Sequence, residues 1–157
     1  MQLEQVVTHT TIEGNEYLIK FEIVNPDVLP NVIGIPIPII NLTLVQVRRV
    51  RHNNPKFLNF LAQYISDYLN QFDVILYYYC DHADIEMRKS RSMSPQQYRY
   101  QFFNIIYETI PNNSLISIPI IIDDEINGNH YISIISSQKN SAELDKLYGS
   151  IESMKYK

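Results

Sequence analysis

Tyr17, Ile19, Phe21 and Ile23 interleave with Leu18, Lys20 and Glu22, the two-residue period of a strand with one strongly apolar face. The threonine-rich stretch Val6 to Ile12 precedes it, and Glu13-Gly14-Asn15 between them reads as a hairpin turn. Val32 to Ile40 also alternates. Pro36 and Pro38 remove two backbone donors there, so this stretch is expected at a sheet edge or as an extended segment. Leu42 to Val50 is the next expected strand, and its apolar residues change parity between Leu44 and Val45, the mark of a β-bulge or of burial on both faces. From Pro55 the period lengthens. Phe57, Leu61, Tyr64, Ile65, Tyr68 and Phe72 form a helical stripe, with Asn54 as N-cap and Pro55 in the first turn, predicting a helix over Pro55 to Gln71.

Asp73 to Tyr79 is the next expected strand, continuously apolar and aromatic from Val74, as expected of a strand buried on both faces. Ser94-Pro95-Gln96-Gln97 reads as a capping box ahead of a second helix whose stripe is Tyr98, Phe102, Ile105, Ile106 and Thr109. Asn112 to Ser114 is a turn, and Leu115 to Ile122 pairs with His130 to Ser136 across an Asn127-Gly128 turn. A last helix, capped at Asn140 or Ser141, carries Leu144, Leu147, Tyr148, Ile151 and Met154 on one side. The expected order is β-β-β-β-α-β-α-β-β-α. This describes one α+β domain over residues 1–157, with a mixed, mostly antiparallel sheet covered by three helices. Only Asp73 to Tyr79 has helices on both sides in sequence, which makes it the natural parallel partner of a neighbouring strand.

With 157 residues the chain is long enough to bury roughly 70% of its unfolded surface without a metal or disulfide staple. Its 17 acidic and 13 basic residues leave a net charge of −4, which argues against a general duplex-binding surface. The single cysteine cannot form an intramolecular disulfide or a multi-cysteine zinc site, so a reducing compartment is expected, the cytoplasm by default. MQLEQVVTHTT lacks the features of a secretory signal or transit peptide, and the apolar runs Val32 to Ile40 and Leu115 to Ile122 fall short of the ~20 residues of a membrane helix. Asn41-Leu42-Thr43 and Asn112-Asn113-Ser114 match the glycosylation sequon, which matters only in a secreted protein.

The candidate chemistry concentrates in VILYYYCDHADIEMRKSR, Val74 to Arg91, where the aromatic strand runs into ionisable residues. Open α/β sheets usually place ligands at the carboxyl ends of strands. Cys80, Asp81, His82 and Asp84 are therefore the candidate catalytic residues. A cysteine nucleophile needs a depressed pKa from a nearby base. The two aspartates and His82 suit part of a divalent-metal sphere, although one short loop seldom supplies all of it. The structural alternative has Asp81 or Asp84 capping a turn and pairing with Arg88 or Arg91. Positive charge gathers at Arg88, Lys89, Arg91 and Arg99 and again at Arg48, Arg49, Arg51 and His52. Both clusters precede helix N-termini, where anions are favoured, so Arg88, Arg91, Arg48, Arg49 and Arg51 are candidate anion ligands.

Asp123 to Gly128 superficially opens like a calcium loop, but Ile134 stands where the closing glutamate is required, so a polar hairpin is expected. His9 and His130 lie in strand patterns without metal-ligand spacing and are expected as hydrogen-bonded structural histidines. No cofactor or metal fingerprint is read from the chain.

The threonine-containing opening strand, Tyr17 and Phe21, the helix ending near Phe72, the segment VILYYYCDHAD and the later aromatic helix together resemble the bacterial domain-of-unknown-function family 6169. Cys80, Asp81 and Asp84 are the most specific matches. That resemblance implies a small cytoplasmic bacterial protein without an assigned activity. The run of strands, helix, strand, helix and paired strands after Val47 is also similar in topology to the GCN5-related N-acetyltransferases. In that superfamily a glycine-rich loop holds the coenzyme A pyrophosphate, whereas Val47 to Pro55 here reads VRRVRHNNP. The expected role is recognition of a protein partner or small anionic ligand. The alternatives are a divergent acyltransferase-like enzyme using a coenzyme A thioester and a nucleic-acid-directed toxin or defence component.

Overall fold

The computed structural model describes residues 2–25, 34–48, 55–80, 100, 104–110, 114–126 and 128–153. The strands are β1 (Gln5–Thr10), β2 (Glu16–Ile23), β3 (Ile39–Arg48), β4 (Ile75–Cys80), β5 (Leu115–Ile122) and β6 (His130–Ser137). The helices are α1 (Pro55–Gln71), α2 (104–109) and α3 (Ser141–Ser153), with a 3-10 turn over Gln138–Asn140 leading into α3. The six strands form one mixed sheet in the order β1-β2-β3-β4-β6-β5. All neighbours run antiparallel except β3 and β4, which are parallel. A parallel pair requires a crossover, and α1 supplies it.

The α+β reading therefore holds, with one correction to the order. Among the described residues three strands, not four, precede α1. The two stretches expected on either side of Asn41 are continuous in β3, which starts at Ile39. Residues 34–38 stay outside the ladder, where Pro36 and Pro38 have no N–H to contribute. The chain enters the sheet as soon as the second proline is passed. The parity change near Leu44 corresponds to a real irregularity slightly further on. Tyr17 pairs with Gln46 but Glu16 pairs with Arg48, so β3 carries an extra residue at its carboxyl end.

The first hairpin turns through Gly14, whose φ of 93° lies in the region glycine enters without a Cβ penalty. It is closed by the Thr11 amide donating to the Asn15 carbonyl at 2.9 Å and the Gly14 amide to the Thr11 carbonyl at 3.0 Å.

Each face of the sheet has its own core. On one, Tyr17, Ile19 and Phe21 of β2, Ile40 and Leu42 of β3, and Leu76 and Tyr78 of β4 pack against α1 and against Ile106 and Ile110. The helix buries Phe57, Leu61, Ala62, Ile65, Tyr68 and Leu69 and exposes Lys56, Asn59, Gln63, Asp67 and Asn70, as its 3.6-residue period requires. On the other face, Ile75 and Tyr77 of β4, Ile120 of β5, and Ile132 and Ile134 of β6 pack against Leu144, Leu147 and Ile151 of α3. Strand β6 is buried at every position from Tyr131 to Ser136, the expected result of covering both faces. Pro119 lies on the edge strand β5, where a missing donor costs least.

Asn140 lies in the 3-10 turn immediately before α3, and its side-chain amide donates to Asp73 Oδ1 at 2.7 Å and to Ser136 Oγ at 2.9 Å. Ile105 faces outward at 47% exposure while Ile106 is buried, so the second helix presents a narrower apolar stripe than expected. Its proposed capping box, Ser94 to Gln97, and stripe residues Tyr98 and Phe102 lie outside the described residues.

Candidate functional site

The parallel pair β3–β4 opens towards its carboxyl end. Ile39 pairs with Ile75, Ile40 with Leu76 and Asn41 with Tyr77, and beyond these no further pairs join the two strands among the described residues. Yet β3 continues to Arg48 and β4 to Cys80. On the helix side the opening is floored by a recess bounded by Leu42 and Leu44 of β3, Tyr78 of β4, Leu61 and Ile65 of α1, and Ile106. The recess is apolar and no larger than roughly one water molecule.

Two of the candidate residues read from the sequence end the strands of this pair. Cys80 is the last residue of β4 and Arg48 the last of β3; their backbones are described and their side chains are not. Asp81, His82, Asp84, Arg88 and Arg91, together with Arg49 and Arg51, lie outside the described residues. Among the described residues, no group of three or more His, Cys, Asp or Glu is placed to hold a metal ion.

A second constellation occupies the same end of β4. Tyr79 and His130 are diagonal neighbours across β4 and β6, because Tyr79 pairs with Ile132 and Cys80 with Tyr131. The Tyr79 hydroxyl lies 2.6 Å from His130 Nδ1, and His130 Nε2 lies 2.9 Å from Asp124 Oδ2. Asp124 is fixed by its own hairpin. Its Oδ1 accepts the Ile126 amide at 3.0 Å, its amide donates to Asn129 Oδ1 at 3.2 Å, and its carbonyl accepts the Gly128 amide at 3.0 Å. Gly128 adopts a φ of 85°, which closes this turn as expected; Asn127 lies outside the described residues.

The partners decide the direction of the chain. An ionised carboxylate only accepts, so neutral His130 carries its proton on Nε2 and presents the Nδ1 lone pair to the phenol of Tyr79. Tyr79 therefore donates to His130, which donates to Asp124. The side chains of His130 and Asp124 are 26% and 23% exposed, so solutes reach this chain of groups while most of its water is excluded.

The reading of His130 as a hydrogen-bonded histidine and of Asp123 to Gly128 as a polar hairpin agrees with this geometry. The sequence reading missed that these residues belong together with Tyr79. Asp124 and His130 flank a hairpin turn, a signal visible in sequence; the approach of Tyr79, 51 residues away, depends on strand order.

His9 has a different environment. Its ring stacks on Phe60 at 3.8 Å between centroids and lies 5.9 Å from Phe57, and burial holds its pKa below the usual histidine value. It makes no contribution to the end of β4.

The described residues thus form an α+β domain with one parallel strand pair, β3–β4, and a hydrogen-bonded chain of Tyr79, His130 and Asp124 at the carboxyl end of β4. No family model matches the chain, and no curated protein or solved structure is significantly similar to it. No helix among the described residues is long and apolar enough to cross a membrane.

Proposed function

We propose that this domain binds a small anionic ligand of the coenzyme A thioester class and acts as an acyltransferase. The observation that carries this reading is the opening between β3 and β4. Two parallel strands that pair over three residues and then part leave a slot between them, floored by apolar side chains. An extended arm carrying amide groups suits such a slot, since strand edges recognise amides by main-chain hydrogen bonds. The recess itself, with room for roughly one water, is too small for a long acyl chain.

The phosphates of such a ligand need cations or free amides. Arg48 ends β3 and Arg49 and Arg51 follow it in sequence, and the segment has no glycine to bring backbone amides close to a pyrophosphate. Arginine side chains are therefore assigned that task. Their charge makes the expected affinity fall as salt rises.

Calorimetric titration of the full chain with acetyl-coenzyme A, with desulfo-coenzyme A and ATP as comparators, tests the reading. Saturable binding of acetyl-coenzyme A is expected, weakened in the Arg49→Gln/Arg51→Gln double variant. At about a hundred times its dissociation constant the ligand adds roughly 2.7 kcal/mol of stability, visible as a raised Tm. Absence of both heat and Tm shift with acetyl-coenzyme A refutes it.

A further inference from the structure

Strand β1 forms one edge of the sheet and β5 the other. An edge strand presents a row of backbone N–H and C=O groups, which proteins that stay monomeric blunt with charged residues, proline or a bulge. The β5 edge carries Pro119. Strand β1 reads QVVTHT, with no Lys, Arg, Asp, Glu or Pro, and it pairs with β2 in unbroken register.

That register decides which groups of β1 face outward. In an antiparallel pair, alternate residues exchange both backbone hydrogen bonds and the residues between them direct theirs away. The Thr11 amide donates to the Asn15 carbonyl, and the Ile23 amide turns to Glu4 Oε2 on the β1 side. The bonded pairs are therefore the odd-numbered ones, Gln5–Phe21, Val7–Ile19 and His9–Tyr17. Val6, Thr8 and Thr10 direct their N–H and C=O groups away from β2, and all three are exposed. Their side chains lie on the face opposite α1, since Val7 and His9 pack towards the helix. Among the described residues no other strand pairs with this edge.

We infer that β1 joins β1 of a second copy of this chain, antiparallel about a two-fold axis at Thr8, so that two six-stranded sheets become one. Thr8 then lies opposite the partner's Thr8, Val6 opposite the partner's Thr10, and Thr10 opposite the partner's Val6. This register uses every outward-facing backbone group of β1 and keeps both α1 helices on one side of the joined sheet. An axis at Val7 would instead set Thr10 against Glu4, outside the strand. A second copy is the occupant because the strand is self-complementary: β-branched residues meet β-branched residues, threonine meets threonine, and no like charges face each other. Val6 is 61% exposed and Ile12, just beyond Thr10 in the chain, 83%, so apolar surface is available at both ends of the edge. The contact is small, and the dimer is accordingly weak and reversible. It does not depend on the thioester reading.

Sedimentation equilibrium of the full chain over a range of concentrations tests the pairing. The mass is expected to climb from 18.4 kDa towards twice that value as concentration rises. Thr8→Lys and Thr8→Glu each set like charges against each other on the axis and should weaken the dimer about five-fold or more. An equimolar mixture of the two variants brings opposite charges together there and should recover it. Thr8→Pro removes the outward amide at the axis while sparing the ladder to β2, and should leave a monomer of unchanged fold. Should Thr8→Pro fail to fold, the two charged variants decide, since their side chains replace an exposed one. A wild-type chain that stays monomeric up to about 1 mM overturns the inference; an edge that serves an extended segment of another protein would give that result. A dimer undiminished in folded Thr8→Lys or Thr8→Pro overturns it too, because the interface then lies elsewhere. So does a mixture of the charged variants that remains monomeric, because Thr8 then does not face its own copy.

Discussion

The rings of Phe21 on β2 and Tyr68 on α1 stack with centroids 4.1 Å apart and planes 23° from parallel, and this contact joins the crossover helix to the sheet. Both side chains are fully buried. The Tyr68 hydroxyl extends past the stack to donate to the Leu3 carbonyl at 2.6 Å, and the neighbouring Tyr64 hydroxyl donates to Gln5 Oε1. One helix face thereby holds the sheet by its rings and the start of β1 by its hydroxyls.

Phe21→Ala empties the centre of that contact and is expected to lower stability by about 3–5 kcal/mol, the usual cost of truncating a buried aromatic. Tyr68→Phe keeps the stack and loses one hydrogen bond, for about 0.5–1.5 kcal/mol. Chemical denaturation of the two variants checks the ranking. A larger loss in Tyr68→Phe would place the stability in the hydroxyl and not in the stack.

Tyr68 also sets an alkaline limit. Burial, then the charge of Glu4 and the proximity of Tyr64, push its pKa up to about 12. The unfolded phenol titrates near 10. Stability from the neutral form is therefore complete below about pH 10 and is lost as pH rises towards 12, because the unfolded state releases its proton first. The fall in Tm over that window should be shallower in Tyr68→Phe.

His9 gives the corresponding effect on the acid side. Its pKa is lowered by burial against the phenylalanine rings, so the unfolded state binds a proton before the folded state does. Stability is undiminished above the unfolded value of about 6.5 and falls as pH drops below it. His9→Phe preserves a stacking ring and removes the proton. Its Tm is expected to decline less than that of the wild type between about pH 7 and 5.5; equal declines would show that burial of His9 has no thermodynamic consequence.

Asn140 joins Asp73 and Ser136, and Ser136 in turn donates to the Val74 carbonyl at 2.6 Å. Asn140→Ala removes two hydrogen bonds and should cost about 1–3 kcal/mol. Asn140→Asp places a carboxylate against that of Asp73 and should cost more at pH 7. The gap between the two variants should narrow below about pH 4, where carboxyl groups are neutral. A gap independent of pH would exclude charge repulsion as its cause.

Ser133 lies fully buried on β6, and its hydroxyl has no hydrogen-bond partner among the described residues. Removing an unsatisfied buried hydroxyl relieves its desolvation cost. Ser133→Ala is expected to raise stability by about 1 kcal/mol, or roughly 2–4 °C in Tm for a chain of this size. A lower Tm would indicate that the hydroxyl contributes to packing or to a bound water.

Much of the fold is legible in the residues themselves. Helix α1 has the bounds its Asn54-Pro55 start and six-residue stripe predict, and both hairpins turn at the glycines that permit positive φ. The parallel placement of β4 follows from its continuous apolar run between two helices. The strand break expected before Asn41 is absent, because alternation and prolines mark where pairing begins but carry no signal that two adjacent stretches are one strand. Asparagine before a helix reads as a cap in sequence, whereas the contacts of the Asn140 side-chain amide with Asp73 and Ser136 depend on the placement of β4 and β6.

The candidate site divides along the same line. The sequence by itself determined that ionisable residues gather where β4 ends, because a change from apolar to charged residues is a local property of the chain. It determined also that Asp124 and His130 share a hairpin, since a tight turn brings its flanks together. Tertiary structure alone decided that β3 and β4 part after three pairs and that Tyr79 meets His130. Those contacts depend on strand order and register, and register is settled by how the two buried faces of the whole sheet fit their helices, a condition that no local stretch of residues encodes.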